Sequence, residues 1–296
     1  MELTQPLSQS RFVLLPPSSL VVPTRFRCVQ VNSRQHDDLL AEIQRFRGKI
    51  YCDDGAVPLD QLTADGRHVA AADYQSWHIL SVDSHEHVCA CVRYLDESSA
   101  TQFDDLLVRN AAIVCAPGAP LLRLAVERQM AEARELHLGF GEVGGWAVSP
   151  DRRGSLEALR IILATYGLLE LLGGCTGVAT ATFRHHSSTI LRRIGLTSLC
   201  LDGVPLPPYF DPHYGCEMEV LRFDSRSPNP RYSEVVAEFT ASLINAQVIC
   251  PDADSTSTHV PIPIEVPEHI PPLGVITSPS NMDGSGRTAV SLASNS

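Results

Sequence analysis

Apolar side chains recur along this chain with two periods. From Asp37 to Tyr51, Leu40, Ile43, Phe46 and Ile50 fall at helical spacing, with Arg45, Arg47 and Lys49 turned outward, which predicts an amphipathic helix. Leu121 to His137 predicts a second, with Leu121, Leu124, Val126, Met130 and Ala133 inward. Gly154 to Leu172 predicts a third, striped by Leu156, Leu159, Ile162, Tyr166 and Leu169 and stopped by Gly173-Gly174. Ser187 to Ile194 reads as a short helix ended by Gly195, and Tyr232 to Gln247 as a last amphipathic one.

Between these helices lie shorter apolar runs with strand character. They are Arg25–Val31, Ser76–Val82, His87–Leu95, Glu142–Val148, Gly177–Phe183 and Glu217–Phe223. The second and third form a hairpin through Asp83-Ser-His-Glu86. Cys52 to Ala72 is polar, with Asp-Gly at 54–55 and 65–66, and reads as a long surface loop. The order predicts an α/β (α+β) fold, a mixed sheet flanked by helices with a βαβ unit at its centre. Residues 1–24, rich in Ser and Pro, read as a flexible lead; 25–250 as the domain; 251–296, dominated by Pro, Ser and Thr, as a disordered tail.

Composition narrows the class. A chain of 296 residues, 44% hydrophobic and 19% charged, can bury a sizeable core. Its formal net charge of −11 argues against nucleic-acid binding, which needs a basic surface. The nine cysteines are odd in number. None form a Cys-x-x-Cys pair, which reads as reduced thiols in a cytoplasmic protein, with no metal site. Ile161–Leu172, the longest apolar stretch, is interrupted by Glu170 and too short to span a bilayer. The N-terminus lacks the basic and apolar regions of a secretory signal.

The chemistry concentrates where the fourth strand meets its helix. Glu142-Val-Gly-Gly-Trp-Ala-Val148-Ser-Pro150 is followed by Asp-Arg152-Arg153-Gly154-Ser155 and then the helix. Amides at a helix N-terminus, with two arginines beside them, favour an anion. There is no Gly-Lys-Ser/Thr, so this is not a nucleotide P-loop, and no spaced glycine run, so it is not a dinucleotide fingerprint. The pyrophosphate or phosphopantetheine of an acyl carrier remains.

That element order and turn resemble the GNAT acyltransferase superfamily, over roughly residues 25 to 225. In that family a Val-x-Pro strand end precedes a turn written Arg/Gln-x-x-Gly-x-Gly/Ala. Here Trp146-Ala-Val148-Ser-Pro150 matches the strand end, and Arg153-Gly-Ser-Leu-Glu-Ala158 the first and last turn positions. Leu156 replaces the middle glycine. A second likeness is to acyl-homoserine-lactone synthases and N-acyl amino acid synthases. It rests on Arg45-Phe-Arg47 with Tyr51, Asp73, Trp77-His-Ile-Leu and Cys91-Val-Arg93-Tyr-Leu. The resemblance implies a GNAT-like, largely antiparallel sheet and direct attack of an amine on a thioester.

The resemblance also implies roles. Glu142, six residues before Val148, matches the position of a glutamate base that deprotonates the attacking ammonium. Arg152, Arg153, Gly154 and Ser155 would hold the donor phosphates, and Val148 would offer backbone groups to the pantetheine or thioester. Gly144-Gly145 suits a bulge or a close ligand approach. The family's general acid, a tyrosine, is matched by Leu191; His185 and His186 are the nearby groups able to carry a proton. Arg93, in an apolar strand, reads as half of an internal ion pair.

The reading is a transferase, an N-acyltransferase. It uses acyl-CoA or a phosphopantetheine-linked acyl carrier protein as cosubstrate, with no permanently bound cofactor. Its acceptor is a primary amine, that of an amino acid. An acetyl-CoA-dependent N-acetyltransferase and a non-catalytic acyl-binding module are the alternatives.

Overall fold

A computed structural model describes residues 10–18, 21–97, 100–115, 119–184, 186–212 and 214–252. The expected tail beyond Asp252 lies outside the described residues, as does His185. The chain divides into two units, 1–257 and 258–296, and only the first holds described residues.

Strands β1 (Arg11–Leu15) and β2 (Cys28–Val31) precede helix α1 (Ser33–Asp53). The Asn32 side chain starts α1 by accepting from the Gln35 N–H at 3.1 Å. Next come β3 (Ser76–Val82), β4 (Val88–Glu97), α2 (Ala119–Glu135), β5 (Gly139–Val148), α3 (Glu157–Leu171), β6 (Cys175–Thr182) and α4 (Ser187–Ile194). The short strands β7 (Thr197–Ser198), β8 (Cys200–Leu201), β9 (Val204–Pro205) and β10 (Tyr209–Asp211) lead to β11 (Cys216–Asp224), α5 (Ser233–Leu243) and β12 (Gln247–Cys250).

The main sheet runs β10-β11-β6-β5-β4-β3-β1-β12-β2. Its centre is antiparallel apart from β5 and β6, which run parallel because α3 crosses over between them. The expected hairpin of β3 and β4 is present, with Trp77 opposite Tyr94 and Ile79 opposite Val92. Helices cover both faces. Leu40, Ile43 and Ile50 of α1 pack on Val13, Leu80, Cys91 and Ala147. On the same face, α2 meets Phe140, Val178 and Val220. The other face carries α3 and α5, packed on Leu14, Ile79, Val92 and Leu221.

Three expectations change. Residues 1–24 are not wholly a lead, because β1 sits inside the sheet, antiparallel to β3 and parallel to β12. Its Phe12, Val13, Leu14 and Leu15 are all buried. In α2 the buried stripe is Leu122, Ala125, Val126, Met130 and Ala133, while Leu121 and Leu124 stand 44% and 52% exposed. Arg47 does not turn outward: it is 1% exposed and ion-paired. No described helix is long and apolar enough to cross a membrane.

Candidate active site

The site grows from an irregularity in β5. Ala90 opposes Val148 and Cys91 opposes Ala147, but Arg93 opposes Gly144, so Val92 faces two residues, Gly145 and Trp146. This is a β-bulge where the glycine pair predicted one. Gly145 has a φ of +62°, and a Cβ there would lie 3.0 Å from Arg47 Nη1 and 3.1 Å from Arg93 Cβ. Only glycine fits both the backbone conformation and the space. The bulge also resets the side-chain alternation. Glu142 and Ala147 face the α1/α2 side, whereas Val143, Trp146 and Val148 pack with α3. Strict alternation along an unbroken strand would place Glu142, Trp146 and Val148 on one face.

The second irregularity is a splay. β5 pairs with β6 only from Gly139 to Glu142, against Cys175 to Val178. Beyond Glu142 the strands part, and β6 keeps β11 as its partner through Thr182. The N–H of Ser149 donates to the Cys89 carbonyl at 2.9 Å. That makes Ala90 and Val148 a non-hydrogen-bonded pair. The N–H and C=O of Val148 therefore point away from β4, into the gap that β6 has left.

Glu142 is the last paired residue at the apex of the splay. It is 7% exposed rather than a solvated strand start. Its Oε1 accepts from the Leu107 N–H at 2.7 Å and its Oε2 from the Val108 N–H at 3.0 Å. Burial pushes its pKa up to about 7, against the lowering effect of those two bonds and of Arg93. A carboxyl that titrates near neutrality in a fixed orientation is suited to accept a proton at physiological pH.

Beside it lies a buried ionic cluster. Asp73 accepts from Arg47 Nη1 and Arg93 Nη1, each at 2.9 Å, and from Gln44 Nε2 at 3.1 Å. Burial alone would raise the Asp73 pKa, but Arg47 and Arg93 outweigh it and hold the carboxyl below its usual range. His78 lies against the Asp73 carbonyl at 2.8 Å, and burial pushes its pKa down to about 3, so it is neutral. Two guanidiniums thus share one carboxylate. The Nε atoms of Arg47 and Arg93 are buried without hydrogen-bond partners. The ion pair expected for Arg93 is present. The depth of the whole cluster was missed, although Arg47 stands four residues after Ile43 and three before Ile50, on the apolar stripe of its own helix.

The Arg152–Ser155 turn forms where expected. A 3-10 turn over Pro150–Arg152 leads through Gly154, φ +77°, to the N-terminus of α3. The Ser155 hydroxyl accepts from the Glu157 N–H at 3.1 Å. Arg152 is half-buried, with the Asp151 carboxylate 3.4 Å away. Arg153 is held by Asp54, at the end of α1, through two bonds of 2.8 Å. Its fork is therefore engaged, and a phosphate would have to compete with Asp54 for it. Glu157 is buried and ion-paired to Arg160 at 3.0 Å, with Ser81 also donating to it. This pins the first turn of α3 to β3. His186 is the N-cap residue of α4, exposed and with a φ of +59°.

On the α3 face of the splay lies a narrow apolar cavity walled by Val143, Ile162, Tyr166, Leu169, Leu191 and Phe223. Leu191, where the resemblance had expected a tyrosine, points into it.

No family model matches the sequence, and no curated protein matches it either. Several solved structures are similar. One is a CoA-dependent acyl-homoserine lactone synthase, BjaI, with SAM and isopentyl-CoA. It is 13% identical at a TM-score of 0.49, over 82% of this chain and 93% of that one. FeeM, an N-acyl amino acid synthase from uncultured soil microbes, is 12% identical at 0.40, over 64% and 92%. An acyl-CoA N-acyltransferase from Pseudomonas aeruginosa is 13% identical at 0.40, over 72% and 98%. At such identities the likeness concerns the fold alone.

Proposed function

We propose that this chain is an N-acyltransferase that moves an acyl group from a thioester to the primary amine of an amino acid. The observation that carries the reading is Glu142, a buried carboxyl with a pKa of about 7 at the apex of the splay. An ammonium has no lone pair with which to attack, so a base is required. Glu142 takes the proton and the freed amine attacks the thioester carbon. As the C–N bond forms, the C–S bond breaks and the thiolate leaves, while the nitrogen gives up its second proton through solvent to become the neutral amide. A thiol with a pKa near 8.5 is a tolerable leaving group without a positioned acid. The wall at Leu191 accordingly needs no proton donor.

The donor, acyl-CoA or the phosphopantetheine arm of an acyl carrier protein, lies in the splay. Val148 offers its free backbone groups to the arm. Arg152, Gly154 and Ser155, with the α3 amides, meet the phosphates. Arg153 joins them by releasing Asp54. The acceptor approaches from the α1/α2 face. There the two guanidiniums sharing Asp73 leave one buried positive charge uncompensated. Such a surplus favours a carboxylate. An amine and a carboxylate on one molecule describe an amino acid.

The cavity beside Tyr166 has room for about one water molecule. That supports a second reading, an acetyl-CoA-dependent N-acetyltransferase, in which the acyl group is the smallest.

The test is mass spectrometry of cells expressing the protein and its Glu142→Gln variant, beside an empty control. New N-acyl amino acids in the first alone support the reading and name both substrates. N-acetylated products alone favour the second reading. Equal products from the variant remove Glu142 from the mechanism.

A further inference from the structure

A base that has taken a proton must lose it before it can act again. Glu142 is 7% exposed, so the groups set against its carboxyl decide where that proton can go. The Leu107 and Val108 N–H groups are donors and Arg93 is a cation, so none of the three accepts a proton. Leu95, directly opposite on β4, is apolar. The fourth group that bears on Glu142 is Glu97, and a carboxylate can take a proton.

The sheet explains the approach. Glu142 stands opposite Leu95 and Glu97 opposite Phe140, so the two glutamates are diagonal neighbours on one face of adjacent strands. Such positions lie roughly 7–8 Å apart, within reach of long side chains. A single water can bridge what distance remains. Each Glu142 oxygen already accepts one N–H, but an ionised carboxylate has about four lone-pair sites, so both oxygens keep room for a proton. Burial raises the Glu97 carboxyl above its usual range as well, which narrows the gap between the two groups.

Glu97 differs from Glu142 in having a way out. It is half-buried, and its Oε2 accepts from the Thr101 hydroxyl at 3.2 Å. Thr101 lines a cleft of about 210 Å³ against α2, with room for several waters. Gln102, Glu127 and Arg134 stand around it, all exposed. Arg134 also donates to the Thr101 carbonyl at 3.3 Å, which ties this turn to α2. Asp96 and Asp105 add their charges beside Glu97, so the negative potential continues from Glu142 toward the cleft. The cleft lies on the α2 face of the sheet, opposite the face that carries α3 and the donor turn.

We propose that Glu97 is the proton outlet of Glu142, passing each proton taken from the amine to water in the cleft beside Thr101. The proposal rests on the acyl-transfer reading above. The proton leaves the ammonium for Glu142, moves to Glu97 directly or over one water, and enters solvent, so Glu142 returns to its ionised form. Glu97 touches no reacting atom; it acts through Glu142, and only between turnovers.

That last point separates an outlet from a structural role. Acetyl-, hexanoyl- and decanoyl-CoA are tried against the twenty amino acids, and a productive pair is followed at pH 8 in dilute buffer. There Glu142 starts ionised, so the first turnover needs no outlet. Glu97→Gln can still accept from Thr101. With enzyme in excess over donor it should form amide as fast as the wild type. In steady state its kcat should fall about five- to tenfold, less than the loss expected for the base itself. Added imidazole, a small proton acceptor, should restore that kcat, and Glu97→Asp should retain part of it. An unchanged kcat, or a single turnover slowed as much as kcat and not rescued by imidazole, overturns the proposal. In either case amide formation by the wild type leaves acyl transfer standing and removes only Glu97. No amide from the wild type in any pairing removes both.

Discussion

Glu142 links burial to chemistry most directly. Its pKa is raised from the model-peptide value to about 7, so the folded state holds its proton more tightly than the unfolded chain does. Between roughly pH 4.5 and 7 the unfolded chain releases that proton first, so this group lowers stability as pH rises through the window. Above about pH 7 the effect is complete and flat. Activity should run the opposite way, rising with pH as Glu142 ionises and levelling off above pH 7. Glu142→Gln should lower kcat by about 100-fold or more. It should also flatten that limb of the pH–rate profile with little change in donor KM. A variant that keeps both the rate and the limb excludes Glu142 as the base. Asp73 is tested by stability. Asp73→Ala leaves two buried guanidiniums without their carboxylate and should cost about 3–5 kcal/mol, read by denaturant unfolding. A loss below 1 kcal/mol would mean that the cluster is already hydrated. As a candidate, Glu142 was legible because the resemblance places a base at its offset from Val148. The Leu107 and Val108 amides that grip it were not, since a backbone donor has no side-chain signature.

β5 is where local sequence and long-range structure meet. Gly144-Gly145 announced a bulge, and the bulge is there. Its consequence, Glu142 and Trp146 on opposite faces, follows only from the register against β4, which no single strand encodes. The third helix, its stop and the turn before it were readable from periodicity and punctuation. In α2, leucines at 121, 122 and 124 supply two competing stripes, and packing against Phe140 and Val178 selects the one through Leu122. Gly145→Ala tests the bulge. The left-handed φ and the 3.0 Å approach to Arg47 should together cost on the order of 1–3 kcal/mol. The variant should also weaken amine acceptance more than donor binding, measured as separate KM values. An equal rise in both would place the bulge outside the acceptor side.

The molecule as a whole is stitched at one end of its sheet by segments far apart in sequence. β1 lies between β3 and β12, so residues that resembled a lead complete the core. Composition hid this: five apolar-rich residues between Ser/Pro stretches carry too little pattern to stand out from a loop. Deleting residues 1–16 should therefore abolish cooperative unfolding, whereas a dispensable leader would leave the melting transition unchanged. Differential scanning calorimetry distinguishes the two.

The parallel pair of β1 and β12 also sets a timetable. Val13 lies beside Gln247, at opposite ends of the domain. During synthesis β1 emerges first and β12 nearly last, so one edge of β1 waits unpaired while almost the whole domain is made. An open apolar edge is an invitation to wrong partners. A nascent chain arrested at residue 246 should expose the β1–β3 region to protease, and one arrested beyond residue 296 should protect it.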